Sequence, residues 1–369
     1  MVVFAERIRE VGVSRRASWI AALAMSLSIG ITVQAAVPAP VGSQGVALHV
    51  INVDQGAAAL FETPCGTLLI DAGGRTDADT DHLLDYLQSY FAARQSLGGR
   101  FAGVYLTHPH IDHDLSMLKV DAVYDFGVFV DDGRIAGDGS RAIAKKLAST
   151  YTGDRVRHVN EVTFSRLTAA QRKKGFTDKG IDPLVCQGIK PKVTALSGGR
   201  DPQAGWSKDA NGNPNNHSLV LRIDYGVTSF LFLGDLQVEG QRDLVARYGD
   251  TPLLDVDVLF LPHHGAENGA TPQLLNAATP KAVVISAGDP LVEDDWTAWD
   301  HGHPRVTVLD RLHAAVTTSR SSADKLAFNA QNTKPVTYTV TKAIYSTGWD
   351  GDIVVHADGV GALTVSTEK

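Results

Sequence analysis

The chain has 369 residues, 44% of them hydrophobic and 20% charged, with 35 Gly and 15 Pro. That is ordinary globular composition, and it excludes collagen, a long coiled coil and wholesale disorder. The formal charge of −7 argues against non-specific binding to long nucleic acid, and no stable nucleic-acid partner is expected.

The first segment places Arg15 and Arg16 before the apolar run Trp19 to Val33 and closes on Val33, Gln34, Ala35. Basic, apolar and small-residue regions in that order predict a secretory signal peptide over residues 1–35, cut after Ala35, with a linker over 36–45. A retained anchor is the alternative, although the apolar run is shorter than the roughly 20 residues of a span. Ser14, Arg15 and Arg16 also resemble a twin-arginine export signal. Cleavage removes four basic and two acidic residues and leaves a net charge of −9. No later run is apolar enough to cross a bilayer, so the expectation is an exported, periplasmic or secreted bacterial protein with no transmembrane domain after processing. Two cysteines, Cys65 and Cys186, are too few for a stapled scaffold; they either pair or remain as inert buried thiols.

Residues 46–369 read as one domain. Short apolar runs separated by Gly (VALHVINV, AALFET, GTLLIDAGG) predict an opening sheet, a helix follows over 79–95, and AGVYLT returns to a buried strand. The segment Arg141 to Asp182 carries ten Lys or Arg against four acids, either a phosphate-facing flank or a solvated helical face. After a Gly/Asn/Pro-rich loop over 197–216 come SLVLRIDY, VTSFLFLGD, a helix near Leu236 to Arg247, VDVLFLPHHG, KAVVISAG, VTYTVTKAIYS and GDIVVHAD. Two strand-rich halves with helices predict an α/β (α+β) fold of two face-to-face sheets covered by helices.

The chemistry concentrates where strands stop. YLTHPHIDHD sets His108, His110, Asp112 and His113 directly after a buried strand, so that one pair of ligands can share an ion and the other pair reach a second. Asp235 closes SFLFLGD, where an unpaired carboxylate would lose hydration. His263 and His264 close VLFLPHHG, one expected to bind metal and the other to move a proton, with His264 favoured as the ligand. His217, before SLVL, is a further candidate ligand or a loop residue.

The HxHxDH motif, the GD strand end and the HHG strand end resemble the metallo-β-lactamase superfamily. HVINVDQGAAALFETPCGTLLIDAGG, NNHSLVLRIDYGVTSFLFLGD, HGHPR and STGWDGDIVVHADG are similar to its branch formed by the extracellular domain of ComEC-type DNA-uptake proteins and related exported hydrolases. The resemblance implies a four-layer αβ/βα sandwich with two divalent ions at one edge, Zn²⁺ first and Mn²⁺ or Fe²⁺ compatible. It implies ligands from His108, His110, Asp112, His113, His217, Asp235 and His264, and a bridging hydroxide that attacks the substrate, with Asp112, His263 and His264 as the catalytic residues. Asp71 is expected to orient ligands, and Asn216 and His303 to support the site or face substrate. Asp54 and Gln55 read as a structural turn, and Trp296 with Trp299 as helix core. The expected substrate is a phosphodiester or another small molecule. β-Lactam, lactone or thioester hydrolysis and a non-catalytic metal-binding module are the alternatives.

Overall fold

Side-chain alternation along the first three strands decides how the molecule is layered. Val46, Leu48, Val50, Ala59, Phe61, Leu68 and Ile70 join one core, while Ala58, Leu60, Leu69 and Ala72 join another, the period of two that a pleated strand imposes. Both faces of these strands are therefore covered. The structure, a computed structural model, describes residues 37–42, 45–134, 141–200, 202–203 and 205–369. The signal peptide expected over 1–35 lies outside the described residues.

In chain order the strands are β1 (Val46–Val50), β2 (Ala58–Thr63), β3 (Gly66–Ala72), β4 (Arg100–Tyr105), β5 (Asp125–Asp131), β6 (Val156–His158), β7 (Lys192–Ser197), β8 (Val220–Tyr225), β9 (Thr228–Phe232), β10 (Val258–Phe260), β11 (Ala282–Ile285), β12 (Ser319–Ala327), β13 (Val336–Lys342), β14 (Ile344–Ser346), β15 (Ile353–Ala357) and β16 (Leu363–Thr367). One sheet has the order β16-β15-β1-β2-β3-β4-β5-β6, a second β14-β11-β10-β9-β8-β7, and β12-β13 form a separate hairpin. The inter-sheet core joins Phe61 of β2 to Phe230 of β9, ring centroids 5.0 Å apart and edge to face.

Helices cover the outer faces. Thr76 and Asp79 close a capping box that starts the helix Asp77–Ala92, two residues before the position expected from periodicity, and the helix ends before Gln95. Its Leu83, Tyr86, Leu87, Tyr90 and Phe91 are buried against the first sheet. Helices Val238–Tyr248, Pro272–Ala278 and Val306–Ala315 bury Leu244, Leu274, Leu275, Val308, Leu309 and Leu312 on the second. The result is the four-layer αβ/βα sandwich.

Two expectations are refined. VTYTVTKAIYS divides at Ala343, so that β13 enters the outlying hairpin and β14 pairs with β11 at a sheet edge. Trp296 is an exposed loop residue rather than helix core, with φ 62° and 67% exposure.

Cys65, in the turn between β2 and β3, is disulfide-bonded to Cys186 with Cα atoms 5.1 Å apart. The bridge closes a separation of 121 residues, which on a chain-entropy account contributes about 5 kcal/mol. The basic segment pairs locally, Arg155 with Asp125, Arg157 with Asp178 and Lys173 with Asp250.

The strands β3 to β6 run parallel, and so do β9, β10, β11 and β14. Segments leaving the carboxyl ends of parallel strands gather at one edge, and those segments carry the residues singled out from the motifs.

Candidate metal centre

The first half of the site hangs on Asp71, a buried residue near the end of β3. Thr107, following β4, donates its N–H to Asp71 Oδ1 (2.7 Å) and its hydroxyl to Oδ2 (2.8 Å). The helix Ile111–Asp114 begins at once, with His110 as its N-cap residue. Ala57 N–H donates to Asp112 O at 2.9 Å, and a Cβ on Gly73 would fall 1.6 Å from the same oxygen. Only glycine permits that approach, so the Gly73 position brings the helix down onto the sheet edge.

Asp112, His113, Asp235 and His264 converge, with one ligand atom from each lying within 4.8 Å of the others. His113 Nε2 is 3.1 Å from Asp235 Oδ1 and 4.0 Å from Asp112 Oδ2. His264 Nε2 is 3.3 Å from Asp112 Oδ2 and 3.5 Å from Asp235 Oδ2. Each ring is oriented by its other nitrogen: His113 Nδ1 donates to Asp71 Oδ2 and His264 Nδ1 to the Ser286 carbonyl, both at 2.7 Å. Each Nε2 therefore faces the carboxylates, buried and without a hydrogen bond of acceptable geometry. Two such imidazole nitrogens beside buried Asp235 and part-buried Asp112 fit a divalent cation, which can take the place of the Nε2 protons and balance the paired negative charge.

The metal-free electrostatics are those of a frustrated cluster. Burial opposes charge on His113, but Asp235, Asp71 and Asp112 outweigh it and hold its pKa well above the ordinary imidazole value. Burial likewise opposes protonation of His264, yet Asp235 and Asp112 raise it to about 10. Asp112 and Asp235 resist burial through the same imidazoles and lie well below ordinary carboxylates.

His108 and His110 sit beside this group. His108 Nε2 is 3.1 Å from His110 Nδ1, and the His108 and His113 ring centroids are 4.2 Å apart. Burial, with His113 and His110 nearby, keeps His108 neutral by lowering its pKa well below the usual value. The converging nitrogens of His108 and His110 form a second candidate pair of ligands.

His217 is a correction. Its Nδ1 accepts from Arg200 N–H (3.1 Å) and its Nε2 donates to Asn211 O (2.9 Å), with Trp206 packed 5.7 Å away, so both ring nitrogens are committed to the neighbouring loop. Asn216 is also structural, since its amide accepts from Gly240 N–H and donates to Ala210 O. The residue of that turn that meets the site is Asn215: its Nδ2 is 3.4 Å from His263 Nε2 and its Oδ1 is buried and unpartnered. A polar residue one position earlier on a tight turn faces another way, which linear spacing does not reveal.

His263 and His264 both adopt left-handed conformations, φ 55° and 53°, which turn the two imidazoles apart at a cost of order 1–3 kcal/mol each. His263 Nδ1 donates to Asn268 Oδ1 at 2.7 Å, and its Nε2 is 3.9 Å from Asp235 Oδ2. His303 is buried and stacks on His264, centroids 6.3 Å apart at 19°. Asn215 opens the NNHS string of the family resemblance but is not among the expected site residues, and Thr107, Ser286 and Asn268 emerge only from the fold.

A profile of the metallo-beta-lactamase superfamily matches residues 51–289. The competence protein ComA of Neisseria gonorrhoeae is 34% identical over 108 residues, 29% of this chain and 14% of ComA. The ComE operon protein 3 of Bacillus subtilis is 26% identical over 152 residues, 38% of this chain and 18% of that relative. The chain thus spans less than a fifth of the length of these curated relatives. A putative metal-dependent hydrolase from Parabacteroides distasonis is 16% identical, with a TM-score of 0.38 over 73% of this chain and 90% of that structure.

Proposed function

This chain belongs to the metallo-β-lactamase superfamily and has its metal-dependent hydrolase fold, and from that premise we propose that it is an exported dinuclear hydrolase of phosphodiesters. The observation that carries the reading is the pair of buried, unpartnered Nε2 atoms of His113 and His264 facing Asp112 and Asp235. Asp112, His113, Asp235 and His264 would hold one ion, and His108 and His110 would supply ligands to the other. The donor set is imidazole and carboxylate without thiolate, which suits Zn²⁺ and also accepts Mn²⁺ or Fe²⁺. Divalent cations bound there supply Lewis acidity and a hydroxide nucleophile at neutral pH.

The chain's own contribution is orientation and proton handling. Asp71 and the Ser286 carbonyl fix the tautomers of His113 and His264. His263 keeps its proton on Nδ1 through Asn268 and presents Nε2 beside Asp235, placed to take up a proton and return it to the leaving oxygen. A cavity of about 410 Å³ adjoins His263 and is lined also by His301, His303 and Arg305; a guanidinium in that wall suits an anionic ester. The Cys65–Cys186 bridge and the basic-then-apolar leader support an oxidising, extracytoplasmic location.

The test is hydrolysis by the purified, metal-loaded protein of bis-p-nitrophenyl phosphate against nitrocefin. Turnover of the diester alone is expected; turnover of nitrocefin alone overturns the substrate assignment. A second reading, a one-ion non-catalytic module, is favoured by the withdrawal of His217, which leaves His108 and His110 without a third imidazole. One ion per chain with no turnover of any ester would select it.

A further inference from the structure

Gln55 lies on the turn after β1, where Asp54 has φ 55°, and that turn is pressed against Gly288: a Cβ on Gly288 would fall 2.0 Å from Asp54 Oδ1. The buried Gln55 amide bridges two groups. Gly288 N–H donates to Oε1 at 3.3 Å, and Nε2 lies 3.1 Å from His303 Nδ1. A backbone N–H can only donate, so the amide atom facing it is the oxygen, and the atom facing His303 is the NH₂ group. An amide NH₂ can only donate, so His303 Nδ1 is the acceptor and the proton of the neutral ring sits on Nε2. One backbone group thereby fixes both an amide flip and an imidazole tautomer.

Among the described residues His303 Nε2 has no partner, and His303 lines the cavity beside His263. Arg305 lines it too, donating from Nη2 to His301 O at 3.3 Å and forming no ion pair among the described residues. The carboxylate in that wall, Glu267, is paired with Arg311 at 3.3 Å. The cavity thus offers an N–H donor, on the ring that stacks on His264, and a guanidinium that forms no ion pair among the described residues.

We propose that Gln55 locks His303 as an Nε2–H donor which, together with Arg305, binds a non-bridging oxygen of the substrate phosphodiester beside the metal-ligand cluster. The inference rests on the phosphodiester reading above. His303 is the substrate-contacting group and Gln55 the positioning residue. No proton is transferred; the imidazole donates a hydrogen bond that strengthens as charge builds on the phosphoryl oxygens.

The test is long-range ¹H–¹⁵N NMR of the Zn²⁺-loaded full chain, titrated with dimethyl phosphate. The expected result is a His303 ring protonated on Nε2, with that N–H resonance moving on titration. His303→Gln, whose amide nitrogen falls near the Nε2 position, should keep binding, whereas His303→Asn should lose about tenfold or more. Gln55→Met should erase the tautomer preference at unchanged zinc content; if that variant fails to fold, the wild-type tautomer and the two His303 variants decide the matter. A wild-type ring protonated on Nδ1, no shift with dimethyl phosphate, or equal affinity in His303→Asn overturns the proposal. Absence of diester turnover with the tautomer and dimethyl phosphate binding intact would instead count against the hydrolase reading alone.

Discussion

Asp71 Oδ2 accepts from His113 Nδ1 at 2.7 Å while His113 Nε2, on the far side of the ring, is left without a hydrogen bond beside Asp235. A carboxylate behind an imidazole settles which nitrogen keeps a lone pair, and so decides whether that imidazole can ligate a cation. Asp71→Asn should therefore lower zinc affinity by about 10–100-fold. The asparagine tolerates the residue's φ of 57°, so far-UV circular dichroism should be unchanged. Equal affinity in competition with a chromophoric chelator would remove Asp71 from the ligand-orienting role.

Metal binding should release protons. In the metal-free protein His264 has its pKa raised to about 10 and His113 lies well above its ordinary value, so both carry a proton at pH 7 that a cation must displace. Calorimetry in buffers of different ionisation enthalpy should report about two protons released per ion at this half-site. Affinity should rise with pH.

The same shifts set the stability of the metal-free protein. A histidine whose folded pKa exceeds its unfolded value of 6.5 contributes stability that is complete below pH 6.5 and is lost as pH climbs through its folded pKa. Urea midpoints of chelated protein should fall between about pH 6.5 and 10, while zinc-loaded protein should not follow that decline. A rising midpoint in chelated protein over this window would contradict the cluster's electrostatics.

Away from the site, Glu62 is buried with two side-chain partners and the Val41 N–H, which donates to Oε1 at 3.0 Å. Arg94 reaches its two oxygens at 2.6 and 2.8 Å, and His49 Nε2 lies 3.1 Å from Oε2. Removing one member strands a buried charge. Arg94→Ala should cost about 3–5 kcal/mol in urea unfolding, and because Arg94 also donates to Pro38 O, protease cleavage near residue 40 should accelerate.

The disulfide gives an independent check. Cys65→Ala with Cys186→Ala should lower stability by about 2–5 kcal/mol without altering metal stoichiometry, since the bridge lies at the β2–β3 turn and not among the ligands.

How far these features could be read from the sequence depended on which physical signal carried them. Asp112, His113, Asp235 and His264 each lie just past an apolar strand, so polarity appearing where burial stops marked them before any fold was known. The two-sheet sandwich was visible in the two strand-rich halves, each with its own helices. The hairpin partner β12 was not, because SRSSADKLA is largely exposed and has no apolar run. His217 had the right residue type and neighbourhood, but the Pro214–His217 turn directs its ring to Arg200 and Asn211 and puts Asn215 at the site instead. Gln55 read as a plain turn residue because its second partner, Gly288, is more than two hundred positions away in the chain. Contacts of that range are set by sheet order, which local pattern does not encode.

The most direct measurement is anomalous diffraction from a crystal of the zinc-loaded protein. The account predicts an anomalous peak about 2.0–2.2 Å from His113 Nε2, His264 Nε2 and carboxylate oxygens of Asp112 and Asp235, with a second peak on His108 and His110. Zinc bound elsewhere, with His113 Nε2 and His264 Nε2 left unligated, would contradict it.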